Sequence, residues 1–433
     1  MIEPVEHLFR QQAGRITATV ARVFGIQNLA LAEDVVQEAF CRALEVWPFR
    51  GVPRDAAAWL MATAKNCALD ALRRERTARR FAPELSEALL SEWTLVPTVE
   101  ELFSPAQVKD DLLRMMFSCC HPRLAETAQV ALILHILCGF SVQEVAAAFV
   151  SRHDAMEKRI GRAKKVLATS RKLFDIAAPP DFSARLPAVH RALYLLFNEG
   201  YHGASAEAAV HEELCREALR LTTELLQHPL GAVPATHALA ALLSVNLARL
   251  PGRTDAEGNL LVLAEQDRCR WNRELIESGL KHLERSAAGP EPTAYHIEAA
   301  IAVLHTTPQR SQDTDWHTII SLYDALLALA PSPIVALNRA IAIAQIHGPE
   351  QGLDAIQGIP DRERLSSYPF YPAALGEFEL RRGRVDDARE HFKAALALSR
   401  NPAERRFMDR RIRACSDPPS LQSRNFQLEA PSR

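Results

Sequence analysis

Basic side chains concentrate in two short stretches of this 433-residue chain. The first holds Arg73, Arg74, Arg76, Arg79 and Arg80, and the second runs from Arg152 to Lys172. Clusters of this kind can bind phosphate groups, because each neutralised phosphate releases condensed counterions whatever the base sequence. For either cluster alone, a solvated helix face is the simpler explanation. The choice between phosphate binding and a solvated helix face therefore depends on the helices that carry the clusters.

Charge is unevenly distributed, although the formal net charge is only −2. Residues 1–80 carry 12 Lys and Arg against 9 Asp and Glu, and residues 109–175 carry 11 against 7. Residues 81–108 hold five acidic and no basic side chains. We therefore predict two basic modules, 1–80 and 109–175, joined by an acidic linker, 81–108. Solubility alone can account for such a linker.

The composition indicates helices, since hydrophobic residues make up 48% while aromatic residues make up only 6%. Ala, Leu, Glu and Arg dominate, and these residues favour helices over sheets. We predict an all-α fold. No apolar stretch is long enough to span a membrane and the first residues lack a signal-peptide pattern, so we expect a cytoplasmic protein without membrane contact. The eight scattered cysteines fit reduced thiols.

The first module is predicted to contain a helix over residues 29–47 that has one apolar and one polar face. Its apolar positions are Val35, Val36, Ala39, Phe40, Ala43 and Leu44. Asp34, Gln37 and Glu38 lie on the opposite face. Pro48 and Gly51 are expected to end this helix, so that residues 48–54 form a loop carrying Phe49, Arg50 and Arg54.

A second helix is predicted to begin at Asp55, a suitable N-cap residue. Its expected buried positions are Trp59, Leu60, Thr63, Cys67, Leu69 and Leu72. Its expected outer positions include Lys65, Asn66, Arg73 and Arg74. A helix that presents Asn and Arg after a basic loop suits a DNA groove or a displaced single strand.

The second module carries a helix-turn-helix pattern. Ser141 and Glu144 have the spacing of a capping box at the start of a short helix, 140–149. After a turn, Asp154 is the expected N-cap of a second helix with Ile160, Ala163 and Leu167 inward. Its outer face is basic and includes Lys158, Arg159, Arg162 and Lys165. Such a face can enter a major groove, although many helix hairpins have a similar pattern.

Three motifs in this order resemble the sigma-70 family, and more narrowly its extracytoplasmic-function (ECF) group. The motifs are AEDVVQEAF at 32–40, AAWLMATAKNCALDALRR at 57–74 and RIGRAKKVL at 159–167. The resemblance covers residues 5–172 and implies sigma regions two and four. It implies as partners core RNA polymerase and promoter DNA, with polymerase performing the catalysis. We therefore expect a protein that is not an enzyme and that needs no cofactor.

The resemblance also implies roles for individual residues. Asp34, Gln37, Glu38 and Phe40 match the helix that binds core polymerase. Phe49, Arg50, Arg54, Lys65, Asn66, Arg73 and Arg74 match the segment that captures a flipped base and follows the melted −10 strand. Arg152, His153, Lys158, Arg159, Arg162 and Lys165 match the helix that enters the −35 groove. This chain departs from the family at Ala155, which takes the place of a common Thr, so Arg152 or His153 is expected to make that contact.

The remaining chain, 176–413, is predicted to be a helical domain, followed by a mobile tail, 414–433. Residues 371–402 resemble a tetratricopeptide (TPR) repeat, with Gly376, Gly383, Ala388, Phe392 and Ala395 at small and aromatic positions. Helices over 337–348 and 319–331 fit degenerate earlier repeats, although a plain helical bundle remains an alternative. We expect this domain to contact a regulatory protein, polymerase or the sigma modules.

Two polar blocks in this domain leave their role open. Asn198, Glu199 and Tyr201 form the first, and Gln266, Asp267, Arg268 and Trp271 form the second. Either block could be a site, but hydrogen bonds between helices explain both equally well.

Other functions have weaker support in the sequence. Cys119, Cys120 and His121 lack the spacing of a zinc site, so we expect no bound metal. A phosphate loop, a nucleophile elbow and an HExxH motif are all missing from the sequence, which leaves little support for a hydrolase. The main alternative is a helix-turn-helix regulator or TPR adaptor that acts without polymerase.

Overall fold

In the computed structural model of the chain, α-helices dominate. It describes residues 2–25, 28–80, 111–149, 151–169, 179–202, 211–255, 257, 259–289, 291–308, 310–399 and 402–416. Short 3-10 turns and one isolated antiparallel bridge between Thr254 and Leu260 complete the regular structure of these residues. The all-α prediction is confirmed. The predicted linker, 81–108, and residues 417–433 of the predicted tail lie outside the described ranges.

The described residues divide into two compact units. The first contains Met1–Leu193 and Gln227–Gly231, and the second contains Tyr194–Leu226 and Ala232–Arg433, each where described. Both predicted basic modules therefore lie in the first unit. None of the described helices is both long enough and apolar enough to cross a bilayer.

Eight helices lie among the described residues of the first unit. They are α1 (Ile2–Phe24), α2 (Leu29–Arg50), α3 (Ala56–Arg80), α4 (Asp111–Cys119), α5 (Glu126–Ile136), α6 (Val142–Ala148), α7 (His153–Ala168) and α8 (Pro179–His202), the last as far as Leu193. Helices α1, α2 and α3 pack against one another, and α5, α6 and α7 form a second group. Helix α1 also packs on α4, and α2 contacts α7, so the two basic modules pack together.

Gly14 allows the backbones of the two modules to approach each other closely. A Cβ atom on Gly14 of α1 would lie 1.8 Å from the carbonyl oxygen of Leu137, the residue that ends α5. A side chain at position 14 would therefore push the two backbones apart. Nearby, the Thr19 hydroxyl lies 3.2 Å from Oδ2 of Asp111 at the start of α4.

The beginning of α8 is built into the same unit. The rings of Phe182 and Phe117 stack with centroids 4.4 Å apart, and both side chains are fully buried. Nη1 of Arg185 donates a hydrogen bond of 3.1 Å to the Phe117 carbonyl oxygen. The chain beyond the second basic module is thus physically joined to α4.

Where it is described, the second unit contains the end of α8 and ten further helices. These are α9 (Glu212–Gln227, as far as Leu226), α10 (Pro234–Arg249), α11 (Arg273–Ser286), α12 (Ala294–Thr306), α13 (Trp316–Leu329), α14 (Pro333–His347), α15 (Pro349–Gln357), α16 (Phe370–Arg381), α17 (Val385–Leu398) and α18 (Pro402–Ala414). From α10 onward, successive helices pack in pairs. The helices predicted over 319–331 and 337–348 are α13 and α14.

The hairpin of α16 and α17 has the close packing that its small residues predict. A Cβ on Gly376 would lie 3.0 Å from the Phe392 ring and 3.1 Å from the Ala388 carbonyl oxygen. Gly383 lies between the helices with a φ of 80°, which favours glycine. The side chains of Ala388, Phe392 and Ala395 are fully buried. Glycine at positions 376 and 383 therefore allows this tight hairpin.

Candidate nucleic-acid interface

Helix α2 is amphipathic, as its sequence predicts, with one correction. Val35, Val36, Ala39 and Ala43 are buried, but Leu44 is 46% exposed. The prediction that Leu44 faces inward was wrong, because the large indole of Trp47 continues the buried stripe beyond Ala43 and leaves Leu44 on its flank.

The residues predicted to bind polymerase separate into two groups on α2. Asp34, Gln37 and Glu38 are exposed, and Glu38 Oε1 accepts a hydrogen bond of 2.9 Å from Arg42 Nε. Phe40 is only 5% exposed, and its ring packs edge-on against Phe9 with centroids 4.9 Å apart. In this structure Phe40 therefore supports α2 from inside, and only the three polar residues are open to a partner.

Helix α2 extends further than predicted. The expected loop over 48–54 is wrong at its start, because the helix continues through Pro48 to Arg50. Proline in a last turn loses only one helical hydrogen bond and keeps a helical φ. Gly51 ends the helix with a φ of 80°, and its N–H donates to the Trp47 carbonyl oxygen at 2.9 Å.

The loop after α2 and the end of α2 present the predicted −10 residues to solvent. The Phe49 ring is 90% exposed, and Arg50 and Arg54 are exposed as well. An exposed aromatic ring close in sequence to two exposed arginines offers both a stacking surface and cations for phosphates.

Helix α3 begins as predicted. Asp55 Oδ1 accepts a hydrogen bond of 2.8 Å from the Ala58 N–H, which caps the first turn. Leu60 and Cys67 are buried, but Leu69 is 37% exposed, so its predicted inward position was wrong. The adjacent Ala64 and Ala68 complete the buried stripe instead.

The basic outer face of α3 is also present. Lys65, Asn66 and Arg74 are exposed along it. The side chain of Arg73 lies outside the described residues. The exposed side chains lie on the helix that follows α2 and its loop, so the predicted −10 residues fall on consecutive elements.

Both helices of the predicted helix-turn-helix form, and the first has the predicted capping box. The Glu144 N–H donates to Ser141 Oγ at 3.2 Å, and the Ser141 N–H donates to Glu144 Oε2 at 2.7 Å. The prediction that Asp154 is the N-cap of the second helix was wrong. Helix α7 begins at His153 with Arg152 as its N-cap residue. The Arg152 guanidinium lies 3.1 Å from Asp154 Oδ2, so that carboxylate pairs with the side chain before it.

Helix α7 presents a basic face to solvent. Met156, Ile160, Ala163 and Leu167 are buried, which confirms the predicted inner stripe. The predicted −35 residues lie opposite: Arg152, His153, Lys158, Arg162 and Lys165 are exposed, and Arg159 is half-buried. A mainly basic, exposed face on the second of two such helices is the geometry that major-groove binding uses.

One ion pair in this region escaped the sequence analysis. Lys164 Nζ of α7 lies 2.8 Å from Glu33 Oε1 of α2. The two residues are 131 positions apart, so no local pattern relates them. The pair joins the helix with the predicted polymerase-binding residues to the helix with the predicted −35 residues.

The candidate metal residues pack inside the first unit. Cys119 and Cys120 are buried, and burial raises the pKa of both thiols, that of Cys120 to about 12. Burial also lowers the pKa of His121. Metal ligation requires thiolates, which this environment opposes. Within the described ranges, no three His, Cys, Asp or Glu side chains converge as metal ligands would.

Comparison with known proteins agrees with this geometry. The family model of Sigma-70 region 2 matches residues 8–78, and a family of unknown function (DUF6596) matches residues 185–287. Over 382 residues the chain is 39% identical to "Uncharacterized protein R00370" of Rhizobium meliloti (strain 1021), covering 88% of this chain and 89% of the relative.

A second relative carries a descriptive name. The chain is 28% identical over 199 residues to "Probable ECF RNA polymerase sigma factor SigI" of Mycobacterium tuberculosis (strain ATCC 25618 / H37Rv). The match covers 46% of this chain and 62% of that relative, which is less than two thirds of its length. No solved structure matches the chain. The chain belongs to the ECF-type sigma-70 family, in a form with a long C-terminal extension.

Proposed function

We propose that the protein is a sigma factor that binds core RNA polymerase and directs it to promoters, while polymerase performs the catalysis. The observation that supports this best is the combination of two exposed basic surfaces. One lies on α2 and α3, within the match to sigma region two, and the other lies on α7 of the helix-turn-helix.

Polymerase binding is assigned to the exposed polar face of α2. Asp34, Gln37 and Glu38 are available for direct contacts. Phe40 acts through its packing on Phe9, which fixes the orientation of α2. This division explains why an aromatic residue in the matched motif is buried.

Melted −10 DNA is assigned to the last turn of α2, the loop that follows it and α3. Phe49 provides a ring on which an unpaired base stacks, a contact worth about 1–3 kcal/mol. That gain is comparable to the few kcal/mol that flipping a base costs. Arg50, Arg54, Lys65 and Asn66, together with Arg73 and Arg74, then follow the strand that leaves this position.

The −35 element is assigned to α7. Lys158, Arg162 and Lys165 project from one face, and Arg159 lies beside them. Arginine and lysine can both pair with guanine in the major groove, and both also bind phosphates. Arg152 and His153 lie at the start of the helix. Their longer side chains can reach DNA there, whereas the short side chain of Ala155 cannot.

Promoter binding requires the first unit to open. Elements at −10 and −35 lie about 25 base pairs apart, or roughly 85 Å along B-form DNA. Helix α3 packs on α2, which contacts α7, so the two DNA-binding helices are separated by on the order of 20 Å. The packed arrangement therefore represents the protein before it joins polymerase, and the contacts of Gly14 and Lys164 restrain its opening.

The extension is assigned a regulatory or supporting role. Its first helix, α8, buries Phe182 against Phe117 and hydrogen-bonds the Phe117 carbonyl oxygen through Arg185. Any partner that changes α8 would therefore act directly on the helix-turn-helix module. The small-residue packing of α16 and α17 supports a TPR-like surface for such a partner, either a regulatory protein or another part of the chain.

Binding to purified core polymerase tests the proposal. The full-length protein should bind, and the double variant D34A/Q37A should bind at least tenfold more weakly. Glu45→Ala is the matched control, since Glu45 is exposed on α2 and is not among the residues assigned to polymerase. A protein that does not bind core polymerase would instead be a helix-turn-helix regulator or TPR adaptor.

A further inference from the structure

The second unit contains a cavity that the sigma function does not use. Its volume is about 80 Å³, and it lies among the last turns of α8 and helices α10, α12, α13 and α14. One ordered water needs roughly 10–15 Å³ of such volume, so the cavity can hold about six waters or a ligand of similar size. It is also open to solvent, which gives a small molecule a route to it.

The walls combine aromatic rings with one carboxylate. Tyr194, Phe197, Tyr201 and Tyr323 supply the rings, and Glu298 supplies the carboxylate. The Tyr194 hydroxyl donates to Glu298 Oε2 at 2.9 Å, which fixes the carboxylate in place. Neither Lys nor Arg occurs among the described lining residues. Aromatic faces beside an acidic group attract organic cations and disfavour anions.

Two polar atoms in these walls are buried without a hydrogen-bond partner. The hydroxyl of Tyr201 is one, on a residue that is only 3% exposed, and Nδ2 of Asn198 is the other. Buried polar groups in native proteins are nearly always hydrogen-bonded, so unpaired groups at one cavity require an explanation. A ligand oxygen would satisfy both, because the amide nitrogen donates and the hydroxyl can donate or accept.

The position of Tyr201 does not depend on its hydroxyl. The Arg253 guanidinium lies 3.9 Å from the centroid of the Tyr201 ring, and the Phe197 ring stacks with it at 5.6 Å. These contacts hold the ring and leave the hydroxyl at the cavity. A phenylalanine at position 201 would keep both contacts, so the hydroxyl needs a reason of its own.

We propose that this cavity binds a small organic ammonium compound that also carries a hydroxyl or carbonyl oxygen. The ammonium group lies against Glu298 and the rings of Tyr194 and Tyr323. The oxygen accepts a hydrogen bond from Asn198 and pairs with the Tyr201 hydroxyl. The proposal rests on the second unit alone and is independent of the sigma function.

Calorimetric titration of the full-length protein with three probes of equal size tests the ligand class. Ethanolamine carries both groups, propylamine lacks the oxygen, and 1-propanol lacks the ammonium. Ethanolamine should bind at millimolar concentration, at least fivefold more tightly than propylamine and more tightly still than 1-propanol. Equal binding of all three probes, or no heat with ethanolamine up to about 50 mM, overturns the proposal.

Two conservative variants test the residues. Tyr201→Phe should weaken ethanolamine binding at least threefold and leave propylamine binding unchanged. Its melting temperature should equal or exceed that of the unaltered protein. Glu298→Gln should remove the preference for propylamine over 1-propanol. Tyr371→Phe, on α16 and outside the cavity, is the matched control and should change nothing. If Tyr201→Phe binds ethanolamine as the unaltered protein does, the assignment is wrong even if Glu298→Gln does not fold.

Discussion

Replacing Gly14 by alanine should open the first unit without unfolding its helices. The added Cβ would lie 1.8 Å from the Leu137 carbonyl oxygen and 2.6 Å from its carbon. Both neighbours are backbone atoms, so no side-chain rotation relieves the overlap. The helix carrying position 14 must move by about 1.6 Å to restore an ordinary contact of 3.4 Å.

The size of the effect follows from two opposing contributions. Overpacking of this kind costs about 1–3 kcal/mol, and only the packed arrangement experiences it. Alanine also favours the helix over glycine by about 1 kcal/mol, but α1 is a helix in both arrangements, so this gain cancels. The open population should therefore rise about 5- to 150-fold.

Spin labels can measure the opening directly. Cys41 on α2 is an exposed native cysteine, and Thr169→Cys at the end of α7 supplies a second label position. Cys269→Ser removes the other exposed cysteine among the described residues. Pulsed electron resonance on the full chain should show a longer, broader distance distribution for Gly14→Ala than for the parent.

Gly161→Ala is the matched control. It also replaces a glycine within a helix, but a Cβ at position 161 would have no atom within 4 Å. Its distance distribution should equal that of the parent. If Gly14→Ala also leaves the distribution unchanged, the packed modules do not restrain opening and this reasoning fails.

Three further predictions follow from named side chains. Lys158→Ala should reduce the slope of log affinity against log salt concentration for a −35 duplex by about 1. Glu157→Ala on the same helix should leave this slope unchanged. Equal slopes for Lys158→Ala and the unaltered protein would show that Lys158 does not contact phosphate. Phe49→Ala should weaken binding of single-stranded −10 DNA to the polymerase complex by about 1–3 kcal/mol. Val52→Ala, in the loop that follows α2, should have little effect. A loss of equal size for both variants would argue against stacking on Phe49. His190 is buried, which lowers its pKa to about 4, so its neutral form stabilises the fold fully above pH 6.5 and this contribution falls by about 3 kcal/mol as the pH drops to 4. The free energy of unfolding, measured in urea between pH 7.5 and 4.5, should therefore fall less steeply for His190→Gln than for the unaltered protein. Parallel declines would show that burial of His190 does not cause the loss of stability.

Local features of the fold could be predicted from the sequence because they depend on neighbours along the chain. The capping box of Ser141 and Glu144 and the cap at Asp55 need only three residues of context. The inner stripe of α7 needs only helical spacing. The error at Pro48 has a related cause, since a proline shows where one helical hydrogen bond is missing but not whether the helix ends there.

Contacts between distant segments could not be predicted in this way. The approach of Gly14 to Leu137, the ion pair of Glu33 and Lys164 and the bond from Arg185 to Phe117 join residues that share no repeat or motif. The exposed residues proposed to bind DNA were identifiable from charge, spacing and the resemblance to the sigma-70 family. Their packed arrangement follows only from three-dimensional complementarity between the modules.

Transcription by purified core polymerase tests the central claim most directly. Core enzyme with the full-length protein, supplied with genomic DNA from the same source, should yield transcripts that begin at defined positions sharing upstream sequences about 10 and 35 base pairs away. Core enzyme alone should not yield them. Transcripts with the same scattered starts in both reactions would show that this chain does not select promoters.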